Sequence, residues 1–227
     1  RYIRRQRQMC IRDRVYKVCS MPPPSSGGIA LIQMLNILEN FNLSEIKHNS
    51  EEYLKILISV MNYAFFDRAK YLGDSEFFNV PQKILTSKKY GKTIYDRILK
   101  NIRPNESNII FSESEETTHF SVVDKWGNAV SNTYTLNTAY GSGIVPSGTG
   151  ILMNNEMDDF SSKPGHPNAY GLVGSEANKI EPNKAPLSSM SPVIVFFEEK
   201  PFLVTGSPGG STIITTVLQE ILNITDF

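Results

Sequence analysis

The sequence has few of the residues that build redox and metal sites. Its 227 residues include only two cysteines, three histidines and one tryptophan. Cys10 and Cys19 lie close together near the N-terminus, a placement that indicates neither a disulfide framework nor a metal site. The histidines (His48, His119 and His166) are scattered, and the ligand spacing of a zinc motif is absent. We therefore expect a protein without a metal ion or a cofactor.

Long apolar runs and a charge excess are also missing. No stretch of about 18 uncharged apolar residues is present, so we expect no membrane span. The 23 basic and 23 acidic residues balance, and 40% of the residues are apolar, as in ordinary globular proteins. This composition leaves a globular protein as the expected class.

Residues 1–14 differ from the rest because they hold six of the arginines and show no helical or strand period. We interpret them as a non-native basic segment to be left out of the fold, although such an arm could also contact nucleic acid or anionic lipid. The rest has 17 basic and 22 acidic residues, a net charge of −5. That balance argues against nucleic acid as a partner.

Apolar residues at helical spacing predict that residues 15–116 are mainly helical. The first helix follows a proline-rich segment and is capped by Ser26, and the second is capped by Ser50 and stopped by Gly73. The helices are expected over residues 26–39, 50–73 and 88–101. The apolar face of the second comprises Leu54, Leu57, Ile58, Met61, Phe65, Ala69 and Leu72.

Residues 117–227 are richer in strand patterns. A strand from residue 117 and a returning strand, Ala129–Thr135, flank a turn at Asp124–Asn128, in which Gly127-Asn128 supplies the backbone angles of a hairpin. A second pair is expected over residues 192–197 and 202–205, followed by a final helix. The intervening residues 137–190 are rich in Gly, Ser, Asn and Pro, and long loops of this kind tend to be functional.

Thr117 and Thr118 begin the first strand directly after an acidic linker, residues 112–116. A threonine hydroxyl is a weak nucleophile unless a base lies beside it, and the residue's own α-amino group can be that base. This amine exists only if the chain is cut before Thr117. Taken alone, the two threonines fit a plain strand start better than a nucleophile, since threonine favours strands.

Three other segments carry groups suited to ligand binding. Residues 206–211 form a glycine-rich strand-to-helix turn whose N–H groups could hold an oxyanion, but the lysine of a phosphate-binding loop is absent. The serines of residues 186–192 could hold a carboxylate, and the three acids of residues 154–160 could hold an ammonium group. Individually, a tight turn, a capped turn and a solvated loop explain these segments as well.

Together, six segments resemble the gamma-glutamyltranspeptidase family, in the family's order from about Val15 onward. They are MPPPSSGGIALIQMLNILE (21–39), DRAKYLGD (67–74), TTHFSVVDKWGNAVSNTYTLNTAYGSGIV (117–145), GILMNNEMDDFSSKPG (150–165), PNKAPLSSMSP (182–192) and VTGSPGGSTIITTVLQ (204–219).

The resemblance implies an α+β fold, the αββα sandwich of Ntn hydrolases, truncated at both ends. It also implies self-cleavage between Glu116 and Thr117 into a large and a small subunit that stay associated. Thr117 would be the nucleophile, its freed amine the general base, and Thr135 would position its hydroxyl. In the site that the resemblance implies, the substrate α-ammonium is bound by Asn137, Glu156 and Asp159, the α-carboxylate by Ser188 and Ser189, and the oxyanion by the N–H groups of Gly209 and Gly210.

The implied activity is γ-glutamyl transfer from glutathione-like donors to water, an amino acid or a peptide through a threonine acyl-enzyme. The alternatives are a cephalosporin or glutaryl acylase of the same fold, and a catalytically inert fragment. The family also has a preceding region with a carboxylate-gripping arginine and a longer small subunit. We expect this sequence to lack both, so that it need not mature by itself. Family members are usually exported, which predicts a periplasmic or extracellular location.

Overall fold

A computed structural model describes residues 9–13, 15–104, 117–166 and 173–227, and it shows an α+β fold. In these residues there are six strands and five helices, together with short 3-10 turns. In chain order they are β1 (Met9–Asp13), β2 (Tyr16–Ser20), α1 (Gly27–Leu38), α2 (Glu51–Tyr71), α3 (Gln82–Leu85), α4 (Lys88–Leu99), β3 (Thr117–Val123), β4 (Ala129–Thr135), β5 (Val193–Phe197), β6 (Lys200–Thr205) and α5 (Ile213–Thr225).

The strands form two antiparallel sheets, one of four strands in the order β1-β2-β5-β6 and one made of β3 and β4. Ser131 on β4 joins them, because its Oγ donates to the Thr205 carbonyl (2.8 Å) and accepts from the Val193 N–H (3.1 Å). The helices supply a layer on the four-stranded sheet, with core side chains from α1, α5, β2 and β5 in one cluster. The expectation of an α+β, Ntn-hydrolase-like arrangement is confirmed.

Helix α1 lies at the centre of this core, and all of its residues are buried. Apart from Gln33 and Asn36 the helix is apolar on every side, and such a helix can be stable only inside a protein. Its first turn packs so closely that a Cβ at Gly28 would lie 2.1 Å from the Met21 carbonyl oxygen. A Cβ at Gly27 would lie 2.2 Å from the Ser191 Oγ. The start of α1 is therefore fixed against the loop that carries Ser188 and Ser189.

The predicted helices are present, but two details were wrong. Ser50 caps α2 by accepting from the Tyr53 N–H (3.3 Å), as predicted. Leu54 and Ile58, however, are 42% and 57% exposed rather than buried. The reason is that the packed face of α2 is rotated toward a different set of buried residues, which includes Tyr53, Val60, Asp67 and Arg68. Ser26 precedes α1 without a side-chain capping bond. The short helix α3 was not among the predicted elements.

The strands follow the prediction closely. β4 spans the predicted residues, and the hairpin register places Thr117 opposite Thr135 and Val123 opposite Ala129. The second pair is also present, with β6 beginning at Lys200 instead of residue 202. A tight connection between β5 and β6, with Glu198 and Glu199 in the left-handed region (φ +48° and +61°), explains the earlier start.

Two predictions about the N-terminal segment were wrong. Met9–Asp13 form strand β1 instead of lacking structure, and Cys10 and Cys19 form a disulfide. The reason is the hairpin of β1 and β2, which places the two cysteines directly opposite each other with their Cα atoms 4.0 Å apart. The non-native origin of residues 1–14 stays a prediction.

Candidate functional site

The face of β3 that meets the other sheet carries the candidate nucleophile. Successive side chains of a strand point to opposite faces, so Thr117 and His119 share one face with Thr133 and Thr135 on β4. The Thr117 Oγ1 donates to the Thr135 Oγ1 at 3.4 Å. Thr135 Oγ1 also accepts from the Asn137 N–H at 2.9 Å. This hydrogen-bond chain fixes the Thr135 hydroxyl beside that of Thr117.

His119 connects this face to the glycine-rich turn. Its Nδ1 lies 2.8 Å from the Thr133 Oγ1 and its Nε2 lies 3.0 Å from the Ser121 Oγ. A Cβ at Gly206 would lie only 2.3 Å from the same Nδ1, so this glycine is required for the close approach. Burial lowers the pKa of His119 and so favours a neutral ring, whereas the charge of Glu220 opposes this effect. The turn therefore begins against the strand of Thr117.

The glycine-rich turn ends at the start of α5. Gly209 and Gly210 have φ angles of +121° and +54°, which side chains rarely tolerate. A short 3-10 turn, Gly210–Thr212, then leads into α5. N–H groups at such a helix start favour negative charge, so this geometry suits an oxyanion.

The two candidate acids lie in one 3-10 turn, Glu156–Asp159. Burial, followed by the hydrogen bond and the charge of Glu156, raises the pKa of Asp159 to about 8, against an opposing effect of the Arg68 charge. Burial also raises the pKa of Glu156. Two carboxyl groups this close hold a proton between them near neutral pH, and a bound cation would favour the ionised form of both.

Asn137 links the acids to the threonines. It is 6% exposed and adopts a φ of +75°. Its amide donates to the Asn155 carbonyl (3.2 Å), directly before Glu156, and the Asn155 N–H donates to the Leu136 carbonyl (3.1 Å). The loop of the acids is thus attached to the end of β4.

The start of α1 holds the serine loop in place. The Ser188 carbonyl accepts from the Ser26 N–H (2.8 Å) and the Ser26 hydroxyl (2.7 Å), and the Ser188 N–H donates to the Pro24 carbonyl (3.2 Å). The Ser25 hydroxyl donates to the Met190 carbonyl (2.7 Å). Residues 22–28, the proline-serine-glycine segment, therefore hold the loop of Ser188 and Ser189 in place. Because the Ser26 hydroxyl is used in this contact, Ser26 does not cap its own helix.

Arg68 is a charged residue of this region to which the sequence analysis gave no role. It is 5% exposed, and its Nε and one terminal nitrogen donate to Ser26 Oγ and Ser189 Oγ, each at 2.9 Å. Burial lowers its pKa to about 10, and the charge of Asp159 opposes this. A cavity of about 20 Å³ between Arg68 and Asp159 is large enough for about one water molecule. The sequence signal that could have identified Arg68 is its position three residues after Phe65, which places it on the buried side of α2.

The structure thus brings most of the predicted residues into one series of contacts. Thr117, Thr135 and Asn137 meet at one end, the acids of the 3-10 turn lie in the middle, and Arg68 and Ser189 lie at the other end. The glycine pair follows a turn that begins against β3. Glu116, on the other side of the predicted cleavage point, lies outside the described residues.

Across residues 9–13, 15–104, 117–166 and 173–227, no group of three His, Cys, Asp or Glu side chains is placed to hold a metal ion. Within those residues no helix has both the length and the apolar character needed to cross a bilayer.

The raised pKa of Asp159 predicts a pH-dependent stability. An unfolded aspartate ionises near 3.8, whereas the folded one keeps its proton to about pH 8. The folded state therefore binds more protons between these values, and its stability falls as the pH rises through them. Each pKa unit corresponds to about 1.4 kcal/mol, so Asp159→Asn, which cannot ionise, is expected to gain roughly 4 kcal/mol relative to the unchanged protein between pH 4.5 and pH 8.

Chemical unfolding of the full-length protein at both pH values measures this difference. Glu45→Gln, which alters an exposed carboxylate, is the matched control and should show no such gain. Parallel stability curves for the Asp159→Asn variant and the unchanged protein would contradict the prediction.

Comparison with known proteins identifies the family. The gamma-glutamyltranspeptidase family model matches residues 2–227, and so begins earlier than the expected start near Val15. The glutathione hydrolase proenzyme of Escherichia coli (strain K12) is 56% identical over 221 residues, which cover 94% of this chain and 38% of that protein. The acylase ACY 1 proenzyme of Pseudomonas sp. (strain SE83) is 33% identical over 214 residues, 94% of this chain and 37% of that protein.

A solved structure supports the fold. The cephalosporin acylase from Bacillus halodurans superposes with a TM-score of 0.77 at 23% sequence identity, covering 98% of this chain and 38% of that one. The chain spans less than two fifths of the length of each of these relatives. On the family match and the identity across nearly its whole length, the chain belongs to the gamma-glutamyltranspeptidase family.

Proposed function

We propose that the protein transfers the γ-glutamyl group of glutathione-like donors to water, an amino acid or a peptide through an acyl-enzyme on Thr117. The observation that carries the proposal is the contact between the Thr117 and Thr135 hydroxyls at the first residue of β3. A hydroxyl held by a second hydroxyl at a strand start has a defined direction. It gains a base once its own residue becomes a chain terminus.

Maturation comes first in this proposal. The Thr117 hydroxyl attacks the carbonyl carbon of residue 116, and the acyl group moves from the Thr117 nitrogen to its oxygen. This shift frees the α-amine of Thr117, and water then hydrolyses the ester, which releases a carboxyl group on residue 116 and regenerates the Thr117 hydroxyl. The two products are the large and small subunits, which stay associated through the shared core of α1, α5 and β5.

In catalysis, the freed amine removes the proton from the Thr117 hydroxyl as it attacks the γ-carbonyl of the donor. The N–H groups of Gly209 and Gly210 stabilise the oxyanion, and the amine returns the proton to the leaving nitrogen. Water or an acceptor amine then attacks the ester and regenerates Thr117. Water gives hydrolysis, and an amine gives transfer.

The remaining groups recognise the α-amino acid end of the donor. Asn137, Glu156 and Asp159 bind its ammonium group, and Ser188 and Ser189 bind its carboxylate. The raised pKa values of the acids support this, because an ammonium ion would replace the proton that they hold. A periplasmic or extracellular location, and glutathione as the donor, are parts of the same proposal.

An acylase acting on glutaryl or cephalosporin amides is the second candidate, since an acylase proenzyme is among the relatives. The acidic pair favours the γ-glutamyl group, because a glutaryl group has no ammonium to balance two carboxylates. Kinetics of the mature full-length protein on γ-glutamyl and glutaryl anilides separate the two. We expect kcat/KM to favour the γ-glutamyl anilide by about 100-fold or more, which is the loss expected when one partner of a buried charged pair is missing. A preference for the glutaryl anilide would overturn the proposed donor.

A further inference from the structure

Arg68 is a buried cation that lies between the two parts of the proposed amino-acid site. It comes from α2, far in sequence from both the serine loop and the acidic turn. Its guanidinium contacts Ser26 and Ser189, and it lines one cavity together with Asp159. A charged group buried to this degree is costly and needs strong partners. Such a cost suits a residue that organises a site.

We propose that Arg68 is a positioning residue for donor binding, which directs the Ser189 hydroxyl toward the donor carboxylate and whose charge favours the ionised form of Asp159 that the donor ammonium requires. The inference rests on the proposed function and deepens it. Arg68 need not touch the donor itself.

The direction of the Ser189 hydroxyl follows from the hydrogen-bonding capacity of the two groups. A guanidinium has donors only, so the Ser189 Oγ must accept in its 2.9 Å contact with Arg68. The single hydroxyl hydrogen then points away from Arg68. It is left to be donated to an acceptor such as a carboxylate, which the guanidinium charge behind it also favours.

The second contact fixes the neighbouring backbone. The Ser26 Oγ accepts from the Arg68 Nε at 2.9 Å, and its hydrogen is donated to the Ser188 carbonyl at 2.7 Å. Arg68 therefore holds Ser189 directly and Ser188 through Ser26. A lysine has no planar fork and could not keep both bonds in this geometry.

The charge of Arg68 also acts on the acids. Glu156 and Asp158, on the same turn, face Asp159 and raise its pKa, whereas Arg68 on α2 lowers it. Removing the Arg68 charge should therefore leave Asp159 protonated to still higher pH. A protonated acid binds an ammonium group less well, so donor affinity depends on this cation.

Two variants of the mature full-length protein, Arg68→Met and Arg68→Lys, separate the two effects. Steady-state kinetics on a γ-glutamyl anilide and calorimetric binding of L-glutamate would be measured from pH 6 to 9. Arg68→Met should raise KM and the glutamate Kd about 10- to 100-fold, with kcat changed less than about threefold. It should also shift the midpoint of the pH dependence of Kd upward by roughly one unit. The amine of glutamate titrates equally in every sample, so the difference reports the protein.

Arg68→Lys keeps the charge and should restore the pH midpoint while leaving Kd raised. Subunits on a denaturing gel show that each variant has matured, and should Arg68→Met not mature, the lysine variant decides alone by its raised Kd. Unchanged Kd and pH midpoint, with lower thermal stability only, would make Arg68 structural and overturn the inference while leaving the proposed function intact. A mature unchanged protein that neither binds glutamate nor cleaves the anilide would remove both.

Discussion

Thr117→Ala is expected to leave the full-length precursor uncut and to lower turnover of a γ-glutamyl anilide by on the order of 10⁴- to 10⁶-fold. The variant loses the hydroxyl that attacks residue 116, so the α-amine that serves as base is never released. Both the nucleophile and its base are lost in one substitution. Intact mass measures the cleavage, and anilide release measures the turnover.

Two variants make this test specific. Thr118→Ala removes the same side chain one residue further on, on the opposite face of β3, where Thr118 is exposed. It should mature and turn over normally. Thr117→Ser keeps a hydroxyl and should retain measurable cleavage and activity. If the Thr117→Ala precursor still split and the product still released the anilide, the proposed nucleophile would be wrong.

The pairing of Thr117 with Thr135 could be predicted from the sequence. The hairpin prediction placed the turn at Asp124–Asn128, and the observed register continues without a bulge from Val123↔Ala129 to Thr117↔Thr135. Because a hairpin turn fixes the register of its strands, a turn over residues 124–128 pairs residue 123 with residue 129, and counting back six residues pairs Thr117 with Thr135. Local rules therefore explain the nucleophile strand well.

The contacts of Arg68 could not be predicted from the sequence in this way. Its partners, Ser26 and Ser189, come from segments separated from it by 42 and 121 residues. No turn or period relates such segments, and only packing brings them together. The rotated face of α2 has the same cause, since helical spacing shows that an apolar stripe exists but tertiary packing decides which side is covered.

The six family-like segments meet through contacts that residue type alone does not predict. His119, in the segment of the nucleophile, packs against Gly206, in the segment of the glycine turn. The proline-serine-glycine segment holds the serine loop through backbone bonds. In both cases the smallest residues lie where two segments approach, because any side chain would separate them. This close packing sets the distance between the nucleophile strand and the turn that we assign to the oxyanion.

Gly209→Ala tests that assignment and is expected to lower kcat about 100- to 1000-fold, with KM changed only a few-fold. Gly209 has a φ of +121°, which an alanine does not adopt without strain, so the peptide units of residues 209 and 210 must rotate. Their N–H groups then no longer point to one position. Because the oxyanion exists only after attack, the loss should fall on kcat rather than on donor binding.

The matched control is Gly148→Ala. Gly148 also has a positive φ, +78°, but a Cβ there meets nothing within 4 Å, so this variant carries backbone strain without touching the turn. Its kcat should remain within about twofold of the unchanged protein, whatever its thermal stability, since strain at one residue costs on the order of 1 kcal/mol of stability. A Gly209→Ala protein that matures and keeps its kcat would rule out this turn as the oxyanion hole. An equal fall in kcat for both variants would show that backbone strain, rather than lost N–H donors, causes the effect.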